Sequence, residues 1–333
     1  SPKIEVTPSP KIEVTPTPAP STTVAAASTP KEKKPEEAFV VPDLFAAFRS
    51  PQEAATKPSI ATTPTTTTTP KTTDSLPPKE DQIQVKPSKT IKIEIGTKVL
   101  PHPEKISWGG EDAIFTQGRT FGVFDGVSGA EKEEGLPLYS VTLAKEMKSS
   151  AGSKGLKAEE MEAKLLRAAE LADETATGAS TAIVASLGED GFLRVLNMGD
   201  SYLLVVRDGR VVARSDEIVH YFDCPFQLSV DSPDRPVDGT VMNVEVIPGD
   251  TIVLGSDGVF DNLTEKAICD IVEEGPSASV IASVISLESR RIGDDPEAET
   301  PYAKEAKKAQ YEEYSSGLGG KVDDVSCVVV RCS

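Results

Sequence analysis

Histidine is almost missing from this chain: His102 and His220 are the only two among 333 residues. A hydrolytic triad built on imidazole, or a zinc site that needs it, has little to draw on. The four cysteines, Cys224, Cys269, Cys327 and Cys332, show no C-x-x-C spacing and read as reduced thiols. No apolar run approaches the roughly 18 residues of a membrane span, and no signal peptide is visible. Positive charge is scarce as well, with 35 Lys+Arg against 53 Asp+Glu and a formal net charge of −18. That balance argues against nucleic acid or an anionic membrane as a partner. A phosphate-binding P-loop is excluded because Gly319-Gly320-Lys321 runs into Val322 where Ser or Thr is required.

What is present divides unevenly. Residues 1–90 carry 16 of the 26 prolines, the run Thr65 to Thr69, and an exact repeat of Ser1 to Pro8 as Ser9 to Pro16. Such sequence buries too little apolar surface to offset its ordering entropy, so residues 1–88 are expected to be a disordered Pro/Thr-rich tail. One apolar island, Phe39 to Phe48, interrupts it, and suits a partner motif no better than a hydrophobic patch in a loose linker. Residues 89–333 are expected to form the folded domain and carry all of the excess acid.

Within that domain, Ile91, Ile93 and Ile95 alternate with Lys92 and Glu94 as in a half-buried strand. Strands are expected at about Asp112 to Thr116 and Phe121 to Phe124. Helical spacing follows at Leu138, Val141, Ala144 and Met147, and again at Met161, Leu165, Ala168 and Ala172. The period then becomes two, with strands at about Thr181 to Leu187, Phe192 to Met198, Tyr202 to Arg207 and Arg210 to Ser215. Asp190-Gly191 and Asp208-Gly209 provide turns for a four-stranded antiparallel meander. A strand at Val241 to Ile247 meets Thr251 to Leu254 through Pro248-Gly249-Asp250. Helices are expected at Thr264 to Glu274, Ser277 to Arg290 and Pro301 to Tyr314, and a last strand at Val325 to Arg331. Hairpins with paired helices argue for antiparallel sheets covered by helices, an α+β arrangement.

The chemistry lies where apolar runs end in acid. Phe121 to Phe124 leads straight into Asp125-Gly126, Thr251 to Leu254 into Gly255-Ser256-Asp257-Gly258, Asp323-Asp324 precedes Val325 to Val330, and Glu111-Asp112 precedes Ala113-Ile114-Phe115. Asp-Gly alone is equally a tight-turn dipeptide. Four such clusters can converge on one site, and hard oxygen ligands without imidazole or thiolate select Mg²⁺ or Mn²⁺.

Six motifs in order resemble the metal-dependent protein phosphatases of the 2C (PPM) type. They are Gly110-Glu111-Asp112-Ala113, Val123-Phe124-Asp125-Gly126-Val127, Gly178-Ala179-Ser180-Thr181, Asn197-Met198-Gly199-Asp200-Ser201, Gly255-Ser256-Asp257-Gly258-Val259-Phe260-Asp261-Asn262 and Asp323-Asp324-Val325-Ser326. Leu100-Pro101-His102-Pro103, Asp223-Cys224-Pro225-Phe226-Gln227-Leu228, Thr300-Pro301-Tyr302-Ala303 and Gly319-Gly320-Lys321-Val322-Asp323-Asp324 are similar to signatures of the mitochondrial and plastid branch, so the resemblance points to one of those compartments.

The resemblance implies a four-layer αββα sandwich of two mostly antiparallel sheets with a Mn²⁺ or Mg²⁺ pair at one end. It implies hydrolysis of phosphoserine and phosphothreonine by a metal-activated water, with a phosphoprotein as partner and a monomeric chain. Asp125 would bridge both ions, the Gly126 carbonyl would bind one, and Glu111, Asp257 and Asp323 the other. Asp112 would hold a metal-bound water. Asp200 and Asp261, with Asp257, match a weaker third-metal position, although Asp200 equally suits a turn-stabilising role, and Asp324 is read as a neighbour that solvates or caps a turn. Two departures stand out: Val127 where many members have His, and no Arg shortly before Glu111, for which Lys105 is either a substitute or a solvated loop lysine. With Ala130 replacing a bulky aromatic, they support an alternative, a catalytically silent phosphatase-like scaffold.

Overall fold

A computed structural model of the chain describes residues 91–333. The expected tail, residues 1–88, and the island from Phe39 to Phe48 lie outside the described residues.

The strands are β1 (Ile93–Leu100), β2 (Ala113–Gln117), β3 (Thr120–Phe124), β4 (Ala182–Leu187), β5 (Phe192–Met198), β6 (Tyr202–Arg207), β7 (Arg210–Arg214), the short pair β8 (Val219–Tyr221) and β9 (Cys224–Pro225), β10 (Thr240–Glu245), β11 (Thr251–Gly255) and β12 (Val325–Cys332). The helices are α1 (Tyr139–Ser150), α2 (Ala158–Thr175), the single turn α3 (Asp257–Phe260), α4 (Glu265–Glu274), α5 (Ala278–Gly293) and α6 (Pro301–Lys308). Two five-stranded sheets form, in the orders β1-β12-β11-β6-β7 and β10-β5-β4-β3-β2, and every strand pairing within them is antiparallel.

The central strands are apolar on both faces because each face meets a different layer. In β11, Ile252 and Leu254 point into the space between the sheets, where they meet Phe121, Val123, Ile183, Leu203, Val205, Val328 and Val330; Val253 points the other way, among residues of α4 and α5. On the second sheet, Val184, Leu196 and Met198 pack beneath Leu143 and Met147 of α1 and Met161 and Leu165 of α2. The result is the expected αββα sandwich, with each fully buried aliphatic side chain worth about 1.5–3 kcal/mol of transfer free energy. Thr264 caps α4 as expected, accepting the Ala267 N–H at 3.2 Å.

Four local expectations are corrected. The stretch from residue 181 to 215 is not one meander: β4–β5 and β6–β7 are hairpins in different sheets, and the chain crosses between sheets through Gly199-Asp200-Ser201. The step from β10 to β11 crosses likewise, rather than closing a hairpin. Turn-forming residues permit either outcome, and the need of each two-faced strand for a sheet on one side and helices on the other decides it. In α1 the inward face is Tyr139, Leu143, Ala144 and Met147, whereas Val141 is exposed. Leu138 is the N-cap, so the helix starts at Tyr139 and its buried stripe runs through Tyr139 and Leu143 in place of Leu138 and Val141. Finally, α6 stops at Lys308, six residues short, because Gln310 takes a left-handed conformation (φ 66°) and a separate 3₁₀ turn, Glu312–Tyr314, follows. All four cysteines are free thiols, and among the described residues no helix is long and apolar enough to cross a membrane.

Candidate metal centre

Antiparallel pairing sets the carboxylates at one end of the sandwich. Ala113 at the start of β2 is opposite Phe124 at the end of β3, so Glu111-Asp112 and Asp125-Gly126 emerge side by side. Gly255 at the end of β11 is opposite Cys327 near the start of β12, which brings Asp257 beside Asp323-Asp324. Asp200 joins them from the crossing between β5 and β6, and Asp261 from the C-cap of α3.

Glycines allow the close approach. A Cβ on Gly126 would lie 2.4 Å from the Glu111 carbonyl oxygen, and one on Gly258 would lie 2.0 Å from the Asp324 carbonyl oxygen. Gly126 also forms a bridge to Ser180, while Thr181 N–H donates to the Asp125 carbonyl at 2.9 Å. These contacts hold Asp125 on a fixed backbone.

The electrostatics of the cluster are those of too many anions with too few cations. Loss of solvent, then the charges of Asp257, Asp112, Asp200 and Asp323, hold the Asp125 carboxyl well above the usual carboxylate range. Burial, then Asp324, Asp323 and Asp257, pushes Asp112 up to about 8. Burial and Asp257 also raise Asp200, against the pull of Lys321. Asp261 and Asp323 both rise to about 7, chiefly through loss of solvent. At Asp257 burial works the same way, but the Lys321 ammonium brings it below its ordinary value. Three carboxylate oxygens, Asp112 Oδ2, Asp200 Oδ1 and Asp257 Oδ1, are buried with no hydrogen-bond partner. An orphaned buried oxygen costs roughly 1–3 kcal/mol, more when charged, so carboxylates left this way at one end of the sandwich suit an oxygen-seeking divalent cation.

The ligand candidates fall into two partner sets. Asp257 and Asp261 receive the Lys321 ammonium at 2.7 and 2.8 Å, with Asp323 at 3.7 Å from the same nitrogen. Glu111 sits with Lys105 at 2.5 Å, with Lys132, and with the Ser128 hydroxyl, which donates to it at 2.9 Å.

Residues not assigned to the centre from sequence organise it. Asp324 is buried and ties the 102–111 loop together: its Oδ1 accepts the His102 N–H at 2.7 Å, and its Oδ2 accepts the Glu111 N–H at 3.2 Å and the Lys105 ammonium at 2.8 Å. Lys105 is therefore not a solvated loop lysine. Burial works against its charge, but Asp324 and Glu111 hold it protonated. The only available signal was its position six residues before the acidic pair. Neither histidine ring serves the cluster: His102 Nδ1 accepts the Glu104 N–H, and His220 pairs with Asp234 at 3.0 Å while stacking on Phe226.

Beside Lys321 opens a cavity of about 440 Å³, walled by Asp200, Asp257, Asp261, Arg214, Phe222 and Tyr302. It joins the acidic floor to a partly aromatic rim, as a site for a charged group on a larger molecule requires.

No family model matches the chain. Over 263 residues it is 36% identical to a probable protein phosphatase 2C 1 of Oryza sativa subsp. japonica, covering 74% of this chain and 78% of the relative. It is likewise 36% identical over 260 residues to a probable protein phosphatase 2C 26 of Arabidopsis thaliana, covering 72% of this chain and 84% of that protein. Among solved structures it is similar to the photosystem II phosphatase PBCP, with 32% identity, a TM-score of 0.64, and coverage of 72% of this chain and 98% of that one. The catalytic domain of the serine/threonine phosphatase PstP, solved with two manganese ions, shares the fold at 14% identity and a TM-score of 0.53, covering 73% of this chain and 99% of that one.

Proposed function

The chain belongs to the protein phosphatase 2C family and is a metal-dependent protein serine/threonine phosphatase, and we propose that its acidic cluster is the reacting centre, holding two Mn²⁺ or Mg²⁺ ions. The observation that carries this assignment is that Asp112, Asp200 and Asp257, brought to the same end of the sandwich, each keep a buried oxygen with no hydrogen-bond partner. Asp125, on the fixed end of β3 and within reach of the charges of Asp257, Asp112, Asp200 and Asp323, is the residue that would bridge the ions. The Gly126 carbonyl and Glu111, whose carbonyl oxygen lies 2.4 Å from where a Gly126 Cβ would be, would serve one ion, and Asp257 and Asp323, which share the Lys321 ammonium, the other; this departs from the expectation that Glu111 joins Asp257 and Asp323. Bound there, two such ions lower the pKa of water and neutralise charge on the phosphoryl oxygens.

The chain's own groups do the positioning. Asp112, buried and anchored by the Gly126 N–H to its Oδ1 at 3.4 Å, presents Oδ2 as the acceptor that orients the attacking water. Lys105 and Asp324 fix the loop that bears Glu111, so that the carboxylate need not be ordered at each turnover. Val127 leaves no imidazole beside Asp125, and its backbone N–H is used in holding the turn, donating to Ala179 at 3.0 Å. The silent-scaffold alternative finds no support in this centre, because each of the acidic side chains needed for it is present.

With the purified full chain and a phosphoserine or phosphothreonine peptide, we expect release of phosphate that requires Mn²⁺ or Mg²⁺ and stops on chelation. Turnover indifferent to chelator would refute the two-ion centre.

We also propose that residues 89–333 form the complete catalytic domain, that it works as a monomer, and that the compartment is a plastid or mitochondrion. Of the two, the likeness to the photosystem II phosphatase supports the plastid. Removing residues 1–88 should leave kcat/KM on a small phosphopeptide within about twofold, a difference of ~0.4 kcal/mol, since every residue assigned to the centre lies in 89–333. A tenfold loss would place part of that segment in the working enzyme.

A further inference from the structure

Lys321 lies where a cation is wanted, and the chain goes to some length to hold it there. Its ammonium is 2.7 Å from Asp257 Oδ2, 2.8 Å from Asp261 Oδ2, and 3.5 and 3.7 Å from Asp223 and Asp323. It also lies 4.8 Å from the centre of the Tyr302 ring, and only a fifth of the side chain is exposed. The backbone beneath it is clamped from both sides by one side chain. Asn262 Oδ1 accepts the Lys321 N–H at 2.9 Å, while its Nδ2 donates to the Lys321 carbonyl at 2.8 Å and to the Gly258 carbonyl at 3.1 Å. The turn that supplies Asp257 and Asp261 thus grips the residue whose charge lies between them. The approach needs Gly320, where a Cβ would fall 2.1 Å from the Ile292 carbonyl oxygen.

We propose that the Lys321 ammonium is a built-in third cation: it fills the position between Asp257 and Asp261, next to Asp200, and limits the centre to two divalent ions. The inference rests on the two-ion reading above. An ammonium brings three donors and a single point charge, enough to engage one oxygen each of Asp257 and Asp261. It leaves Asp257 Oδ1 and Asp200 Oδ1 without partners, and Asp257 Oδ1 is thereby kept for an ion of the pair. Because the ammonium is tethered, its local concentration does not depend on ion supply, and a free ion entering this position must first displace it. In this reading Asp261 serves as an anchor for Lys321 and not as a metal ligand. Lys321 is then a positioning residue: it sets which oxygen of Asp257 faces the ions.

The test is a count of bound ions on the full chain, by equilibrium dialysis against Mn²⁺ with elemental analysis, which does not depend on turnover. Wild type should hold two. Lys321→Ala should hold three, since it frees Asp261 and one oxygen of Asp257, and Lys321→Ala combined with Asp261→Asn should return to two. Asp261→Asn alone should stay at two. If Lys321→Ala does not fold, wild type and Asp261→Asn decide the matter by themselves. A wild-type count of three, or the loss of one ion on Asp261→Asn, overturns the inference while the phosphatase centre stands. A Lys321→Ala count of two also overturns it. A wild-type count below two defeats the two-ion reading and this inference together.

Discussion

Asp125→Asn should reduce kcat/KM by about 10³-fold or more while leaving a folded domain that melts no lower than wild type in chelator. The activity loss follows from taking away the charge that bridges the ions, since metal stabilisation of several kcal/mol corresponds to a decade of rate for each 1.36 kcal/mol. The stability expectation follows from sign. Asp125 is held well above its ordinary pKa by loss of solvent and by Asp257, Asp112, Asp200 and Asp323. A carboxyl raised in the folded state destabilises that state once pH passes the unfolded value, so at neutral pH the metal-free wild type carries a penalty that the carboxamide lacks. Thermal melts with and without Mn²⁺ therefore separate the two roles. Wild type should gain Tm on adding Mn²⁺, and the variant should start at or above the chelated wild type and gain much less. If the variant keeps wild-type turnover, or unfolds well below it in chelator, Asp125 is not the bridge described.

The sequence makes the acidic floor of the site legible because its carboxylates sit at the ends of apolar runs, and strands of that kind end together once they pair antiparallel. Asp125, Asp257, Asp323 and the Glu111-Asp112 pair could all be named on that ground. Partners set by tertiary distance were not legible. Lys321 follows two glycines and looks like the remains of a phosphate loop, yet its charge lies 64 residues away in sequence from Asp257, its partner at 2.7 Å. Asp324, apparently the spare member of an acidic pair, ties down a loop more than 200 residues upstream through His102, Lys105 and Glu111. The sheet assignments failed for a related reason. Gly199-Asp200-Ser201 has the composition of a turn, and local chemistry alone does not separate a hairpin from a crossing between sheets. The crossing matters to function, because it is what brings Asp200 to the site.

Gly126→Ala should be strongly damaging to the centre. The expected effects are a fall of about 10²-fold in kcat/KM, the scale of a 1 Å misplacement, and a stability loss of about 1–3 kcal/mol from overpacking. The backbone angles at Gly126 lie in the ordinary range, so the cost is one of space. The new Cβ would meet the Glu111 carbonyl oxygen at 2.4 Å, the Glu111 Cβ at 2.6 Å and its carbonyl carbon at 2.8 Å. Glu111 cannot yield cheaply, because Ser140 Oγ donates to its carbonyl at 2.5 Å and Asp324 Oδ2 accepts its N–H at 3.2 Å. The methyl must therefore either break that clamp or push Asp125-Gly126 out of line, and both move the Glu111 carboxylate relative to the Gly126 carbonyl. Half-maximal activation should then need more Mn²⁺, which a purely global loss of stability would not demand of the molecules that remain folded. Gly129→Ala, three residues on with nothing within 4 Å of its added methyl, provides the matched control and should behave as wild type. A Gly126→Ala enzyme with an unchanged Mn²⁺ requirement and an unchanged Tm would mean that Glu111 and Gly126 do not share an ion.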